Sequence, residues 1–204
     1  ASNLISESAS DAAVVIATEG IRPIEVDGSV DPHAWNSLKN DMIYVRNISA
    51  ALSEIAPWLA DQVNANAKAY IQRLESIDRD IVRRVSRLPE SSRTVVTSHD
   101  AFGYLAEDYG LTFLAPKGID TDAAPTARKL AKLIEQLKNV GAAALFAENI
   151  TSPALINQIA LETGLEVGGR LYSDALSVRG GPAKSYVDMF RHNADSILEA
   201  LGPG

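Results

Sequence analysis

The sequence predicts an α/β fold of parallel sheet and flanking helices, arranged as two lobes joined by one long helix. From residue 94 onward, apolar segments of strand length alternate with amphipathic helical segments, and this strand–helix alternation repeats three times. Upstream, apolar residues recur every three or four positions over residues 63–88, which predicts a helix roughly 40 Å long. A helix of that length is typical of a strut between two lobes.

The composition excludes several classes of function. The chain has 204 residues, of which 46% are hydrophobic and 22% charged, a balance typical of globular proteins, and no apolar run reaches the length of a membrane span. The formal charge of −7 argues against nucleic acid as the main partner, because phosphate binding requires a basic surface. The chain has no cysteine, so disulfides, thiolate metal sites and cysteine nucleophiles are excluded.

The N-terminal part predicts one strand and two helices. The apolar run AAVVIATEGI, residues 12–21, predicts a buried strand. In the segment D-P-H, Asp31 and Pro32 have the chemistry of a helix N-cap and first helical position, so we predict a helix from there to Ile55. Pro57 separates it from the long helix.

The C-terminal part predicts four strands and four helices. The strands are TVVTS, LTFLA, AAALFA and LEVGGRLY, and the helices are HDAFGYLAEDYG, PTARKLAKLIEQLKNVG, SPALINQIALETG and the segment from Pro182 to Leu201. The expected helix signals are Pro125 and Ser152 at helix starts and Gly110, Gly141 and Gly164 at helix ends. We therefore predict three parts, namely an N-terminal lobe (1–57), a linking helix (58–89) and a C-terminal metal-binding lobe (90–204).

Polar side chains follow three of the predicted C-terminal strands. His99 follows TVVTS, Glu148 ends the strand AAALFA, and Asp174 follows the last strand. Because parallel strands end at the same edge of a sheet, we expect these side chains to lie close together. His33 belongs to the other lobe and can approach them across the cleft. Two imidazoles and a carboxylate suit a borderline metal ion such as zinc.

Each of these residues also has a purely structural interpretation. His33 could be a surface residue of a first helical turn, His99 a buried and hydrogen-bonded histidine, and Asp174 an N-cap. Glu148 is better suited to accepting from backbone amides or supporting a ligand than to binding metal directly. His192 lies mid-helix among polar residues, which predicts a solvated surface histidine. The convergence of several residues on one edge favours the metal site.

Four segments carry a resemblance to a known family. DPHAW, TSHDAFGYLAEDYGL, FAENITSP and LYSDALS occur in the order in which the zinc- and manganese-binding solute-binding proteins of bacterial ABC transporters carry similar segments. The resemblance covers essentially the whole chain. It implies that residues 60–88 form the rigid helix between the lobes. It also implies an extracytoplasmic carrier, without enzymatic activity, that delivers its metal to a membrane permease.

The resemblance implies His33, His99 and Asp174 as metal ligands. In this family the ligand that corresponds to His99 is often glutamate in manganese-binding members, so a histidine here favours zinc, with manganese as the alternative. Glu148 and Asp100 are the candidate acceptors for the outer N–H groups of the ligand histidines.

The chain departs from the family at its beginning. The family's first ligand is a histidine upstream of the segment VVIATEGI, and the residues before that segment include no histidine. We therefore expect the chain to be the larger, C-terminal part of a longer protein, with an incomplete N-terminal lobe. A strand AAVVIA without sheet partners is then expected to be loose or to pair with a second molecule.

Two rival functions come from other classes. A zinc hydrolase also uses two histidines and a carboxylate with an open position, and Glu148 would have to be its base. No H-E-x-x-H motif or nucleophile elbow supports that interpretation. The second rival is an adhesin-like surface protein with no role in metal binding.

Overall fold

The computed structural model describes residues 12–120, 125–139 and 143–202. The strands are β1 (Glu25–Val26), β2 (Ser29–Val30), β3 (Thr94–Val96), β4 (Thr112–Leu114), β5 (Ala143–Glu148) and β6 (Val167–Leu171). The α-helices are α1 (Leu38–Ile55), α2 (Ala60–Val85), α3 (Gly103–Tyr109), α4 (Ala127–Asn139), α5 (Ala154–Thr163) and α6 (Tyr186–Leu201). Among these residues, no helix combines the length and the apolar character that a membrane span requires.

The predicted α/β fold with a parallel sheet is confirmed. Strands β3 to β6 form one sheet in the order β4-β3-β5-β6, and every neighbouring pair is parallel. The register pairs Val96 with both Leu114 and Leu145, and Glu148 with Leu171. The carboxyl ends of β3, β5 and β6 therefore lie at one edge, where the predicted polar residues follow them.

Helices cover both faces of this sheet. On one face, α2, α3 and α6 form a core with Val95 and Phe146, and on the other, α4 and α5 pack on Val96 and Leu145. Consecutive strand residues point to opposite faces, so Leu145 and Phe146, both fully buried, serve the two cores separately. Each side chain buried in this way stabilises the fold by about 2 kcal/mol.

The long helix α2 contains 26 residues and has two different halves. Its buried residues, Leu74, Ile77, Ile81 and Val85, all lie in the C-terminal half and belong to the core of the parallel sheet. The N-terminal half packs beside α1, on which Ile48, Leu52 and Ile55 remain 46–55% exposed. The division into three parts at residues 57 and 89 stays a prediction.

The strand predicted at residues 12–21 was wrong. This segment is irregular and ends in a turn, and Val14, Val15 and Ile16 are 46–66% exposed. None of the described strands pairs with it, and an isolated strand leaves its backbone polar groups without partners. The residues between this segment and D-P-H, for which no element was predicted, form the antiparallel hairpin of β1 and β2.

Several predicted helix starts were displaced; the helix predicted from His99, for example, begins at Gly103. Helix α1 begins at Leu38 and not at Asp31, because Ser37 accepts a hydrogen bond from the Asn40 amide while the Asp31 carboxylate binds His33. Helix α6 begins after Ser185 rather than at Pro182, because the chain before it forms a turn closed by the Ser177 amide on the Ala183 carbonyl.

At α5 the N-cap position is Pro153 and not Ser152, although the Ser152 hydroxyl accepts from the Ala154 amide at 3.3 Å. Gly110 and Gly164 end α3 and α5 in the left-handed conformation, as predicted. Gly141 lies outside the described residues.

Candidate metal centre

Three of the predicted side chains converge on one point. His33, His99 and Asp174 each present one nitrogen or oxygen atom, and these atoms lie within 4.8 Å of one another. His33 Nε2 is 3.4 Å from Asp174 Oδ1, and His99 Nε2 is 3.3 Å from Asp174 Oδ2. The two imidazole rings meet edge to face with their centroids 5.3 Å apart. The fold therefore brings residues 33, 99 and 174 together, as the sequence predicted.

The fully buried His99 is held by a carboxylate from the neighbouring strand. Glu148, the last residue of β5, places Oε2 2.6 Å from His99 Nδ1. Its other oxygen, Oε1, accepts hydrogen bonds from the amides of Ser98 and His99 at 2.8 and 2.9 Å. Glu148 thus holds both the backbone and the ring of His99, and leaves Nε2 turned towards Asp174.

His33 is held by a carboxylate in its own segment. Asp31 Oδ1 accepts from the His33 amide at 2.9 Å and lies 2.7 Å from His33 Nδ1. The Asp31 carbonyl accepts from the Tyr104 hydroxyl, and Asn36 donates to the Ala101 carbonyl. The segment that carries His33 is therefore docked on the chain that immediately follows His99.

Asp174 is the most exposed of the three side chains. It lies on the loop between β6 and α6, and its side chain is 23% exposed, compared with 5% for His33 and 1% for His99. Two residues earlier in the chain, Tyr172 exchanges two hydrogen bonds with the buried Asn193 of α6. The start of this loop is thereby fixed to the last helix.

The pKa values show that protonated His99 and the carboxylates stabilise one another. Burial lowers the pKa of His99, but the carboxylates of Asp174 and Glu148 outweigh burial and raise it to about 9. Burial raises the pKa of Asp174, but its contacts with His99 and Ser173 outweigh burial and hold it below the ordinary value. Two carboxylates therefore favour positive charge at this point, whether a proton or a metal cation carries it.

The structure distinguishes the two residues expected to support the histidines. The sequence suggested two roles for Glu148, accepting from backbone amides and supporting a ligand. Glu148 has both, because it accepts from two amides and contacts His99. Asp100 is half-buried, and within the described residues no hydrogen bond or ion pair joins its carboxylate to either imidazole. Burial, followed by the nearby Asp31 carboxylate, raises the pKa of Asp100.

The sequence indicates Asp31 as a helix cap and as part of the turn that aims His33 into the cleft, but it does not predict the direct contact of the Asp31 carboxylate with the His33 ring. The position of Asp31 two residues before His33 is the signal that could have identified this contact, because Asp side chains readily bind backbone two residues on. His192 lies apart from the cluster, where its Nε2 atom is 3.0 Å from the Arg170 carbonyl and its ring contacts Tyr172.

The arrangement is suited to binding a cation. Carboxylates face both Nδ1 atoms, so each imidazole can hold an N–H there and present a neutral Nε2 to a metal. Glu148 Oε1 accepts from two amides and Oε2 lies 2.6 Å from His99 Nδ1, which leaves this carboxylate poorly placed as the base of a hydrolase.

Comparison with known proteins identifies similar sequences and folds. Residues 1–200 match the family model described as "ZnuA: Zinc-uptake complex component A periplasmic". The chain is 34% identical to the "Iron-binding protein YfeA" of Yersinia pestis, over 96% of this chain and 65% of the relative. It is 32% identical to the "Manganese-binding lipoprotein MntA" of Halalkalibacterium halodurans, over 96% of this chain and 66% of the relative. The chain thus spans about two thirds of these relatives' length.

A solved structure shows the same fold. The periplasmic zinc-binding protein TroA from Treponema pallidum superposes with a TM-score of 0.91 at 26% identity, covering 98% of this chain and 76% of that one. The names of the three similar proteins refer to iron, manganese and zinc, so they agree on metal binding and differ on the metal.

Proposed function

Because the chain belongs to the family of periplasmic zinc-uptake component A, we propose that it captures zinc for a bacterial metal ABC transporter. The family is described as a component of an uptake complex and not as an enzyme, in agreement with the sequence prediction. Zinc is cargo in this proposal, and the chain carries out no chemical turnover. The ligands are His33, His99 and Asp174.

The observation that carries the proposal is the pair of Nε2 atoms facing one carboxylate. Both ring nitrogens of His99 are buried, and within the described residues neither the Nδ1 contact with Glu148 nor the Nε2 contact with Asp174 has ordinary hydrogen-bond geometry. Because Glu148 already faces Nδ1, the 3.3 Å approach of Nε2 to Asp174 Oδ2 leaves this nitrogen and this oxygen placed to bind one cation. His33 Nε2 approaches the other oxygen of the same carboxylate.

The choice of zinc rests on the donor atoms. Two imidazole nitrogens and one carboxylate oxygen suit a borderline ion, whereas manganese prefers a larger share of oxygen. The supporting carboxylate of Glu148 raises the basicity of the His99 imidazole, which also favours zinc. Manganese binding is the second candidate, since the manganese-binding relative is 32% identical over 96% of the chain.

The proposed location is outside the cytoplasm, and the proposed partner is a membrane permease. The location is supported by relatives described as periplasmic or as a lipoprotein. The partner is supported by the family's description as one component of an uptake complex. Self-association through the segment around Val14 and Ile16 stays a prediction, for which the supporting observation is the exposure of these side chains.

A competitive metal titration tests the proposal. The chain is titrated with zinc, manganese and iron(II) against a chromophoric chelator, beside His99→Ala and the control His192→Ala. We expect one zinc per chain, weaker binding of the other two ions, loss of binding in His99→Ala and no change in His192→Ala. Equal affinity for manganese would overturn the choice of zinc. Zinc binding that His99→Ala leaves intact would overturn the site.

A further inference from the structure

The placement of Asp174 raises a structural question. It is the most exposed of the three ligands and lies on the loop between β6 and α6, in which Leu176 and Val178 are 47% and 84% exposed. A ligand on an exposed loop binds metal tightly only if other contacts hold it in place, because fixing a mobile loop during binding costs conformational entropy. The backbone carbonyls of the two residues next to Asp174, Ser173 and Ala175, make such contacts.

Trp35 holds the carbonyl before Asp174. Its indole Nε1 donates to the Ser173 carbonyl at 2.8 Å, a contact between residues 138 positions apart. The same ring packs edge to face on His33, with centroids 5.4 Å apart. The Trp35 carbonyl in turn accepts from the Tyr186 hydroxyl at 2.8 Å. Trp35 thus joins His33 to one side of Asp174.

Asn149 holds the carbonyl after Asp174. Its side-chain Nδ2 donates to the Ala175 carbonyl at 3.0 Å, and its backbone amide donates to the Leu171 carbonyl at 3.1 Å. Asn149 directly follows Glu148, the carboxylate that holds His99. Asn149 thus joins the support of His99 to the other side of Asp174.

We propose that Trp35 and Asn149 are positioning residues that clamp the chain on both sides of Asp174, at the Ser173 and Ala175 carbonyls, and so place its carboxylate between His33 and His99. The inference rests on the proposed metal site. Trp35 lies in the same segment as His33, and Asn149 directly follows Glu148, which supports His99. A shift of either histidine is therefore transmitted to Asp174. Such support holds the ligands in their binding geometry before the metal arrives.

A double-mutant cycle for zinc binding tests the clamp. Trp35→Phe keeps an aromatic ring beside His33 and removes the indole donor, and Asn149→Ala removes the amide. Each is made in the native chain and in Asp174→Ala, beside the matched controls Trp58→Phe and Asn64→Ala on exposed positions. We expect each clamp variant to weaken zinc binding roughly tenfold in the native chain and not at all in Asp174→Ala. The controls are expected to have no effect.

A spectroscopic measurement and a milder variant complete the test. Cobalt(II) absorption of the native chain is expected to change in Trp35→Phe and Asn149→Ala, because the coordination geometry changes when Asp174 moves. Tyr186→Phe, which loosens Trp35 without altering it, is expected to show a smaller effect of the same kind.

Three outcomes would overturn the inference. The first is native zinc affinity in both clamp variants. The second is an equal loss with and without the Asp174 carboxylate, which would mean that the residues act on the fold as a whole. The third is a native chain that binds no zinc, which would refute the proposed function and the clamp together. Zinc binding by the native chain, which is part of the cycle, distinguishes this third outcome from the first two.

Discussion

His33 and His99 approach the same carboxylate, but they are supported in different ways. Asp31, which holds His33, is two residues away in the same segment. Glu148, which holds His99, is 49 residues away on the neighbouring strand and also binds two buried amides. The support of His33 requires only a local turn, whereas the support of His99 requires the pairing of β3 with β5. Three experiments would break or sharpen this comparison.

The largest effect on zinc affinity is expected from pH. A metal requires neutral His99, and its pKa of about 9 means that a proton must leave when zinc binds at neutral pH. Apparent zinc affinity is therefore expected to rise about tenfold per pH unit between pH 7 and 9. Titrations in two buffers of different ionisation enthalpy would measure the released proton, and a flat affinity over this range would contradict the assignment.

The same pKa has a consequence for the stability of the metal-free chain, because a raised pKa means that folding favours the protonated ring. This contribution is complete below pH 6.5, the ordinary histidine pKa, and is lost as the pH rises through about 9. Glu148→Gln removes one of the carboxylates that raise the pKa of His99. In that variant, the changes of zinc affinity and of stability with pH should therefore both be complete at a lower pH.

The next expected effect is on the free energy of unfolding, and it distinguishes the two supporting carboxylates, Glu148 and Asp31. Glu148→Ala leaves the buried amides of Ser98 and His99 without an acceptor, whereas Asp31→Ala leaves one amide, that of His33. Each unpaired buried amide costs about 2 kcal/mol, so we expect losses of about 4 and about 2 kcal/mol in the free energy of unfolding. Denaturant titration would measure both.

Glu135→Ala, at an exposed position of α4, is the matched control for this comparison and should change the free energy of unfolding by less than about 0.5 kcal/mol. Equal losses for Glu148→Ala and Asp31→Ala would refute the distinction between tertiary and local support.

The smallest expected effect is a fall in zinc affinity that acts through His33 alone. A Cβ atom at Gly103 would lie 2.9 Å from Asp31 Oδ2, so Gly103→Ala must displace the carboxylate that orients His33. The helix propensity gained by replacing glycine, up to about 1 kcal/mol, offsets the strain, so stability should change little while zinc affinity falls. Gly118→Ala, with no atom within 4 Å of its Cβ, is the control. A loss of affinity in both variants would argue against a specific effect on Asp31.

Much of the C-terminal fold could be predicted because its signals are local. Apolar runs of strand length and period-3.6 apolar patterns define the strands and helices, and Gly110 and Gly164 end helices through a backbone conformation that glycine adopts without strain. The site could be predicted in part for a related reason. Residues that follow parallel strands share one edge of the sheet, so strand order along the chain was enough to predict His99, Glu148 and Asp174 as neighbours.

The errors arose where two local signals competed or where a partner was required. Asp31 and Ser37 are both good N-caps, and only the packing of Asp31 against His33 and Tyr104 decided in favour of Ser37. The apolar run at Val14 predicts a strand by pattern, but a strand exists only beside another strand.

The sequence by itself determined the alternation of strands and helices, the parallel direction of the sheet and the three residues that could bind a metal. Those features depend on patterns within a few residues or on the general handedness of strand–helix–strand units. Only the tertiary structure decided that Glu148 rather than Asp100 holds His99, and that Trp35 and Asn149 flank Asp174. These contacts join residues 26 to 138 positions apart, so they depend on strand register and loop docking, which no local pattern encodes.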